Sequence, residues 1–187
     1  MLWWSFIILC VGISAMVCFN DTVTTEIDTL SRHCALPISV PTFFCDQFRF
    51  WWDLHYDQVF GPERAQNISP IGWAVEKGIK FTLHQDPPVK MPNQILAIHN
   101  AVNRKTESGR VLGEHQRIPV MEAIKAVTIN AAYQYFEEDK KGSIKVGKNA
   151  DFVILDKNPL EVPIEHLTYI KILETIKDGV TIYKRNK

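Results

Sequence analysis

The sequence predicts an α/β fold, and three stretches carry that prediction. In the first, Ser69-Pro70 opens a helix with a capping residue followed by a proline, Gly78 closes it, and residues 79–84 follow at once as a strand. A helix stopped by glycine and turned directly into a strand is the repeating half-unit of an α/β protein. In the second, residues 119–133 place Pro119 in the first turn and space Val120, Ile124, Val127 and Ala131 along one helix face, which marks a stripe for burial. The third, residues 142–159, reads as a glycine-bounded turn, a strand at 152–155 and an Asn-Pro stop.

Composition sets the outer bounds. The chain has 187 residues, 46% hydrophobic and 22% charged, as expected of one globular domain with at most a small appendage. Lys and Arg number 21 and Asp and Glu 21, so the net charge is zero. That excludes the basic footprint of a general nucleic-acid binder and provides no field to steer an anionic substrate. Cys10, Cys18, Cys34 and Cys45 lack C-x-x-C spacing and read as packing residues, while a Cys34–Cys45 bridge would require export.

Residues 2–19 carry no charge and are long enough for a bilayer-crossing helix of roughly 18–20 residues. They read as a signal peptide or a membrane anchor, giving a secretory or membrane-associated protein, although the basic n-region of a signal peptide is missing. A buried N-terminal helix, and with it a cytoplasmic protein, is the alternative. Asn20-Asp21-Thr22 and Asn67-Ile68-Ser69 match the glycosylation triplet, which matters only on export. Residues 21–39 form a linker or short helix, and His33 reads as a loop residue unless it ends a barrel strand.

Residues 38–44 read as a strand interrupted by Pro41, and an aromatic segment follows from Phe48 to Asp57. Such a cluster on a long loop serves either as core or as a pocket wall. His84-Gln85-Asp86-Pro87-Pro88-Val89 sits at the carboxyl end of the strand at 79–84, where parallel barrels build their active sites. Asp86 is there a turn residue before proline, or a carboxylate that coordinates a divalent metal and takes the proton of an attacking water. Residues 93–106 are helix-like and hold His99, Asn103 and Arg104, while His115 lies in a loop with no evident partner. Strands at 170–177 and 180–183 flank Asp178-Gly179, a hairpin signal.

Two motifs resemble the amidohydrolase superfamily, in its amidohydrolase-3 type branch that includes N-substituted formamide deformylase. The run at 142–156 is similar to that family's G-x-I-x-x-G-x-x-A-D-x-V-x-x-D segment. Trp51-x-Asp53-x-His55-x-Asp57 followed by Gly61-Pro62-Glu63-Arg64-Ala65 resembles its W-G-D-x-H-x-D and G-P-E-R-A stretch, with Trp52 where Gly is usual and Gln47 where His is common. Thr128 to Ala132 matches its T-x-N-A-A helix, and the Asp86 segment its S-D-x-P-V strand end.

This resemblance implies an incomplete (β/α)8 TIM barrel of the metal-dependent hydrolase type plus part of a small C-terminal β-sandwich. The parts would be a hydrophobic segment at 1–20, a linker at 21–39, the C-terminal portion of the barrel at 40–141 and strands of the small β-domain at 142–187. It implies hydrolysis of carbon–nitrogen bonds other than peptide bonds, with a divalent metal, zinc by family habit, bound and assisted by Asp86. Trp51 and His55 would contact a small-molecule substrate. A complete barrel takes about 250 residues, and no H-x-H pair occurs here. A silent remnant of such an enzyme, membrane-tethered through residues 2–19, is the other expectation, and a homo-oligomer is left open.

Overall fold

The structure, a computed structural model, describes residues 40–43, 51–85 and 90–186, together with the backbone of Phe6 and Ile7. The linker, His33, the four cysteines and Asp86 lie outside the described residues.

Two short strands, β2 (Thr42–Phe43) and β3 (Thr82–Leu83), pair in parallel with Thr42 opposite Thr82 and Phe43 opposite Leu83. Parallel pairing demands a long crossover, and helices α1 (Trp52–Leu54), α2 (Gly61–Ala65) and α3 (Ile71–Glu76) lie along it. The expected strand at 79–84 is thus confined to two residues. Thr82 N donates to Pro41 O at 3.0 Å and His84 N donates to Phe43 O at 3.1 Å along this pair. Gly78 ends the preceding helix in the left-handed region at φ 63°, as its sequence position predicts.

The described part of the aromatic segment, from Trp52 onward, is helical rather than a long loop. Beyond α1 the chain continues as a π-helix over His55–Val59. Trp52 is buried, which explains why a bulky residue is accepted where the family motif has glycine.

Helix α4 (Gln94–Asn103) is capped by the Asn93 side chain, which accepts from Leu96 N at 3.0 Å. The single helix expected at 119–133 is two, α5 (Val120–Val127) and α6 (Ile129–Gln134). Thr128 leaves the helical region at φ −125°, ψ −95°, and its hydroxyl donates back to Ile124 O at 2.7 Å. The break lets α6 hold the parallel pair. Asn130 Nδ2 donates to Phe81 O at 2.9 Å, while Gln134 Nε2 donates to Thr42 Oγ1 and Gln134 Oε1 accepts from Thr82 Oγ1, both at 3.1 Å. The two threonine hydroxyls meet at 2.6 Å and complete a ring of three hydrogen bonds.

The remaining strands form an antiparallel sheet in the order β1-β4-β5-β6, comprising Phe6–Ile7, Phe152–Leu155, Ile172–Lys177 and Val180–Lys184. Asp178 and Gly179 both take positive φ, 49° and 79°, the backbone of a tight hairpin. Val153 and Leu155 of β4 join Trp52, Ile71, Leu83, Ile98, Ile124 and Leu167 in one continuous core. Each such side chain contributes about 1.5–3 kcal/mol by leaving water.

A bilayer-crossing helix over residues 2–19 is not supported. Phe6 and Ile7 are extended and pair with Ile154 and Val153, and among the described residues no helix is long and apolar enough to cross a membrane. A strand pair is incompatible with those residues being helical.

Gly113 adopts φ 62°, and a Cβ there would lie 2.1 Å from Gln66 O and 2.9 Å from an Arg104 guanidinium nitrogen. Gly113→Ala combines backbone strain with a backbone clash, and we expect it to cost about 2–4 kcal/mol in urea unfolding.

Candidate functional site

The carboxyl end of β3 is where a parallel barrel carries its chemistry. His84 is partly buried there, and Gln85 is 4% exposed. The Gln85 side chain makes a double clamp: its Nε2 donates to Asn93 O at 2.8 Å, and its Oε1 accepts from Asn93 N at 2.5 Å. Since Asn93 also caps α4, the exit of β3 is tied to the entrance of the next helix. Asp86 follows Gln85 directly in sequence but lies outside the described residues. Sequence reasoning overlooked Gln85, because nothing local signals a clamp that closes eight residues later.

Trp51 and His55 stand one turn apart, with His55 N donating to Trp51 O at 2.8 Å. Trp51 is exposed, whereas His55 is partly buried and meets the Phe60 ring edge-to-face at 5.3 Å between centroids. Trp52 between them is buried in the same continuous core as Leu83 of β3. The π-helix there is uncommon geometry that recurs at functional sites.

The two carboxylates of this motif have a different task. Asp53 accepts from Ser108 Oγ at 2.8 Å and Ser108 N at 3.2 Å, and Asp57 accepts from Arg110 Nη1 at 3.1 Å. The Arg110 guanidinium also lies 4.2 Å above the Tyr56 ring. Together they pin the 105–111 turn to the helix. Burial pushes the Asp53 carboxyl up, but hydrogen bonds from Ser108 and Thr106 and the Arg110 charge outweigh it and hold the group below its usual range. A carboxyl depressed in the folded state stabilises above its unfolded value and loses that contribution as pH falls through the folded one. We expect the stability gap between the native protein and Asp53→Asn to be under about 1 kcal/mol at neutral pH, because the group is partly solvated. The gap should shrink below about pH 4 in urea titrations.

Arg104, a second residue that sequence reasoning left unassigned, is wholly buried at the end of α4. Its Nε donates to Leu112 O at 2.8 Å, Nη1 to Ser69 O at 3.0 Å and Nη2 to Ile68 O at 2.8 Å, and the guanidinium lies 5.0 Å from the Trp52 ring centroid. It therefore ties the end of α4 to the backbone at 68–69 and at 112, beside the Trp52 ring. His115, without an evident partner in sequence, meets Asn67 Oδ1 through Nε2 at 3.0 Å.

A groove of about 770 Å³ opens between α5, α6 and the 138–148 loop. Lys80, at the amino end of β3, lines it, so it lies at the opposite end of the strand from Gln85. Among the described residues no group of three or more His, Cys, Asp or Glu side chains could hold a metal ion. The described donor set therefore does not fit a catalytic zinc, which normally takes three protein ligands.

The sequence profile of the Amidohydrolase family matches residues 24–183. N-substituted formamide deformylase of Arthrobacter pascens is 28% identical over 135 residues, covering 70% of this chain and 25% of the relative. The 5-methylthioadenosine/S-adenosylhomocysteine deaminase of Thermoanaerobacter pseudethanolicus is 26% identical over 146 residues, 78% of this chain and 33% of the relative. Thus the chain spans between 25% and 33% of the length of these two relatives. A metal-dependent hydrolase from Pyrococcus horikoshii OT3 superposes with a TM-score of 0.56 at 20% identity, over 68% of this chain and 26% of that one, a likeness of fold. The parallel pair β2–β3 and its helices are partial elements of the barrel such enzymes share. Because the profile runs from before β2 through the hairpin, taking in the clamped strand end and the π-helical motif together, this chain belongs to the amidohydrolase family.

Proposed function

We propose that this chain serves in hydrolysis of a carbon–nitrogen bond other than a peptide bond, with Asp86 as the general base that takes a proton from the attacking water. The observation carrying this reading is the clamped carboxyl end of β3, which leads directly into Asp86 within a family match covering residues 24–183. A carboxylate at that strand end suits the role, since proton abstraction by a positioned side chain speeds such reactions by about 10²–10⁴-fold. Trp51 and His55 form a substrate-binding wall, supported by their common helical turn and the buried Trp52 between them.

Family members are metal-dependent, and a divalent metal is expected to serve the reaction. The described residues do not supply a set of three ligands for it. The substrate is a small molecule; the named activities of the relatives, deformylation of an N-substituted formamide and deamination of a nucleoside, give the two classes to try. The sheet at 142–187 is proposed as one layer of a small β-sandwich beside the barrel portion at 40–141.

The test is formate release from N-substituted formamides and ammonia release from adenine nucleosides by the purified chain supplied with zinc. Turnover of either class supports the proposal. No turnover of either by a folded, Asp86-intact protein would overturn it for this chain.

A further inference from the structure

We propose that the groove between the first turn of α4 and strands β5 and β6 is a binding site for an aromatic carboxylate. The groove holds about 750 Å³ and shares no lining residue with the one beside α5 and α6. It arises from the way the sheet leaves the core. Val153, Thr175 and Tyr183 stand opposite one another across β4, β5 and β6, so their side chains share one face. Val153 is 3% exposed and Tyr183 47%, so the face that is core at β4 lies open at β6. Ile95 and Ile170 of the core, with Ile172 packed against it, form the apolar floor of the groove. Tyr169, 68% exposed, and Tyr183 supply two aromatic surfaces above it.

The charge of the groove has one sign. Lys171 and Arg185 line it, and among the described residues no Asp, Glu or His does. Both cations stand on fixed backbone: Lys171 N donates to Asp156 Oδ1 at 2.8 Å and Asp156 N to Lys171 O at 3.0 Å, while Arg185 N donates to Leu173 O at 2.8 Å. Neither side chain forms an ion pair among the described residues. The carboxylates nearest in sequence face other tasks, Asp156 at the Lys171 amide and Glu174 at Thr181 Oγ1, 2.5 Å away. By contrast, Glu138 and Asp139 balance the lysines of the groove beside α5 and α6.

This set of side chains specifies the chemistry of its occupant. Lysine and arginine only donate, and the hydroxyls of Tyr169, Tyr183, Thr168 and Thr175 are free to donate to an anion. The Asn93 side-chain oxygen already accepts from Leu96 N at 3.0 Å. The occupant must therefore bring the acceptors. A carboxylate suits a single guanidinium, whose planar fork matches its two oxygens. Two tyrosine rings over an isoleucine floor suit a flat apolar body attached to that carboxylate. The groove begins at Asn93, the residue to which Gln85 ties the end of β3, so its occupant touches the residue that fixes the strand exit.

The probe is hippurate, a benzene ring and a carboxylate joined by an amide, titrated calorimetrically into the full chain in EDTA. It should bind with a Kd below about 1 mM, and its uncharged analogue hippuramide about tenfold more weakly. Lys171→Gln and Arg185→Gln should each weaken hippurate about fivefold, whereas Lys145→Gln in the other groove should bind as the parent does. Both cations are exposed and outside any ion pair among the described residues, so the variants should keep the parent's thermal unfolding and report on binding alone. Absence of hippurate binding, equal binding of hippuramide, parental affinity in both cation variants, or tighter binding of phenyl phosphate than of hippurate would each overturn the proposal. Binding is read without metal or turnover, so these outcomes are independent of the chemistry assigned to Asp86.

Discussion

Arg104→Ala should lower the stability of this protein by about 3–5 kcal/mol, read as a fall in the urea midpoint at constant slope. The residue is wholly buried and donates to the carbonyls of Ile68, Ser69 and Leu112. Truncation removes a charged donor from three acceptors at once. A buried acceptor left without its partner costs about 1–3 kcal/mol, and hydrogen bonds to charged groups lie at the upper end of the net scale. The flat guanidinium beside the Trp52 ring is lost as well, which loosens the anchor of the motif helix.

The backbone supplies a discriminating control. Arg104 sits in the left-handed region at φ 51°, a conformation costing about 1 kcal/mol for a residue with a Cβ. Arg104→Gly removes the same side chain but relieves that strain, so it should be less damaging than Arg104→Ala by about 1 kcal/mol. Should Arg104→Ala unfold within 1 kcal/mol of the parent, the three hydrogen bonds would not be a structural hub. If the two variants were equally unstable, the strain would be refuted while the hub survived.

Arg104 also shows where sequence reading stops. Features fixed within a few residues were legible: the Gly78 stop, the Asp178-Gly179 hairpin and the turn-bounded apolar strand at 152–155 each follow from local backbone preference or a short apolar run. Features fixed by distant partners were not. No periodicity marks a helix that breaks at Thr128, and the reason for the break lies in the contacts α6 makes to Phe81, Thr42 and Thr82. The same holds for Phe6 and Ile7, whose apolar surroundings suggest a membrane helix until β4 appears beside them.

The candidate site divides along the same line. Trp51-x-Asp53-x-His55-x-Asp57 was legible as a family motif, yet identity alone could not separate its members by task. The structure sends Asp53 and Asp57 to Ser108 and Arg110, over fifty residues away in sequence, and leaves Trp51 and His55 on the remaining face. Charged residues in a motif invite a chemical role; here two of them hold a turn. Gln85 is the converse case, an uncharged residue with no motif to announce it that ties the strand end to α4.

Asp86→Asn is the substitution with the largest expected effect on turnover. Asparagine matches the carboxylate in shape but cannot take a proton from water, so loss of the general base should lower kcat by about 10²–10⁴-fold. Binding of the ground-state substrate does not require proton transfer, so KM should change little. Thermal unfolding of the variant should match the parent, which separates lost chemistry from lost fold. Asp86→Glu retains the base but carries it one methylene further, and a misplacement of about 1 Å can cost 10²-fold; it should therefore recover only part of the rate. A positional effect has a second handle in Gln85→Leu, which removes both clamp bonds to Asn93 while leaving the carboxylate in place. That variant should lose less rate than Asp86→Asn. If Asp86→Asn instead turned over substrate as fast as the parent, the water would be activated by another group, and the strand end would be a structural feature of the barrel alone.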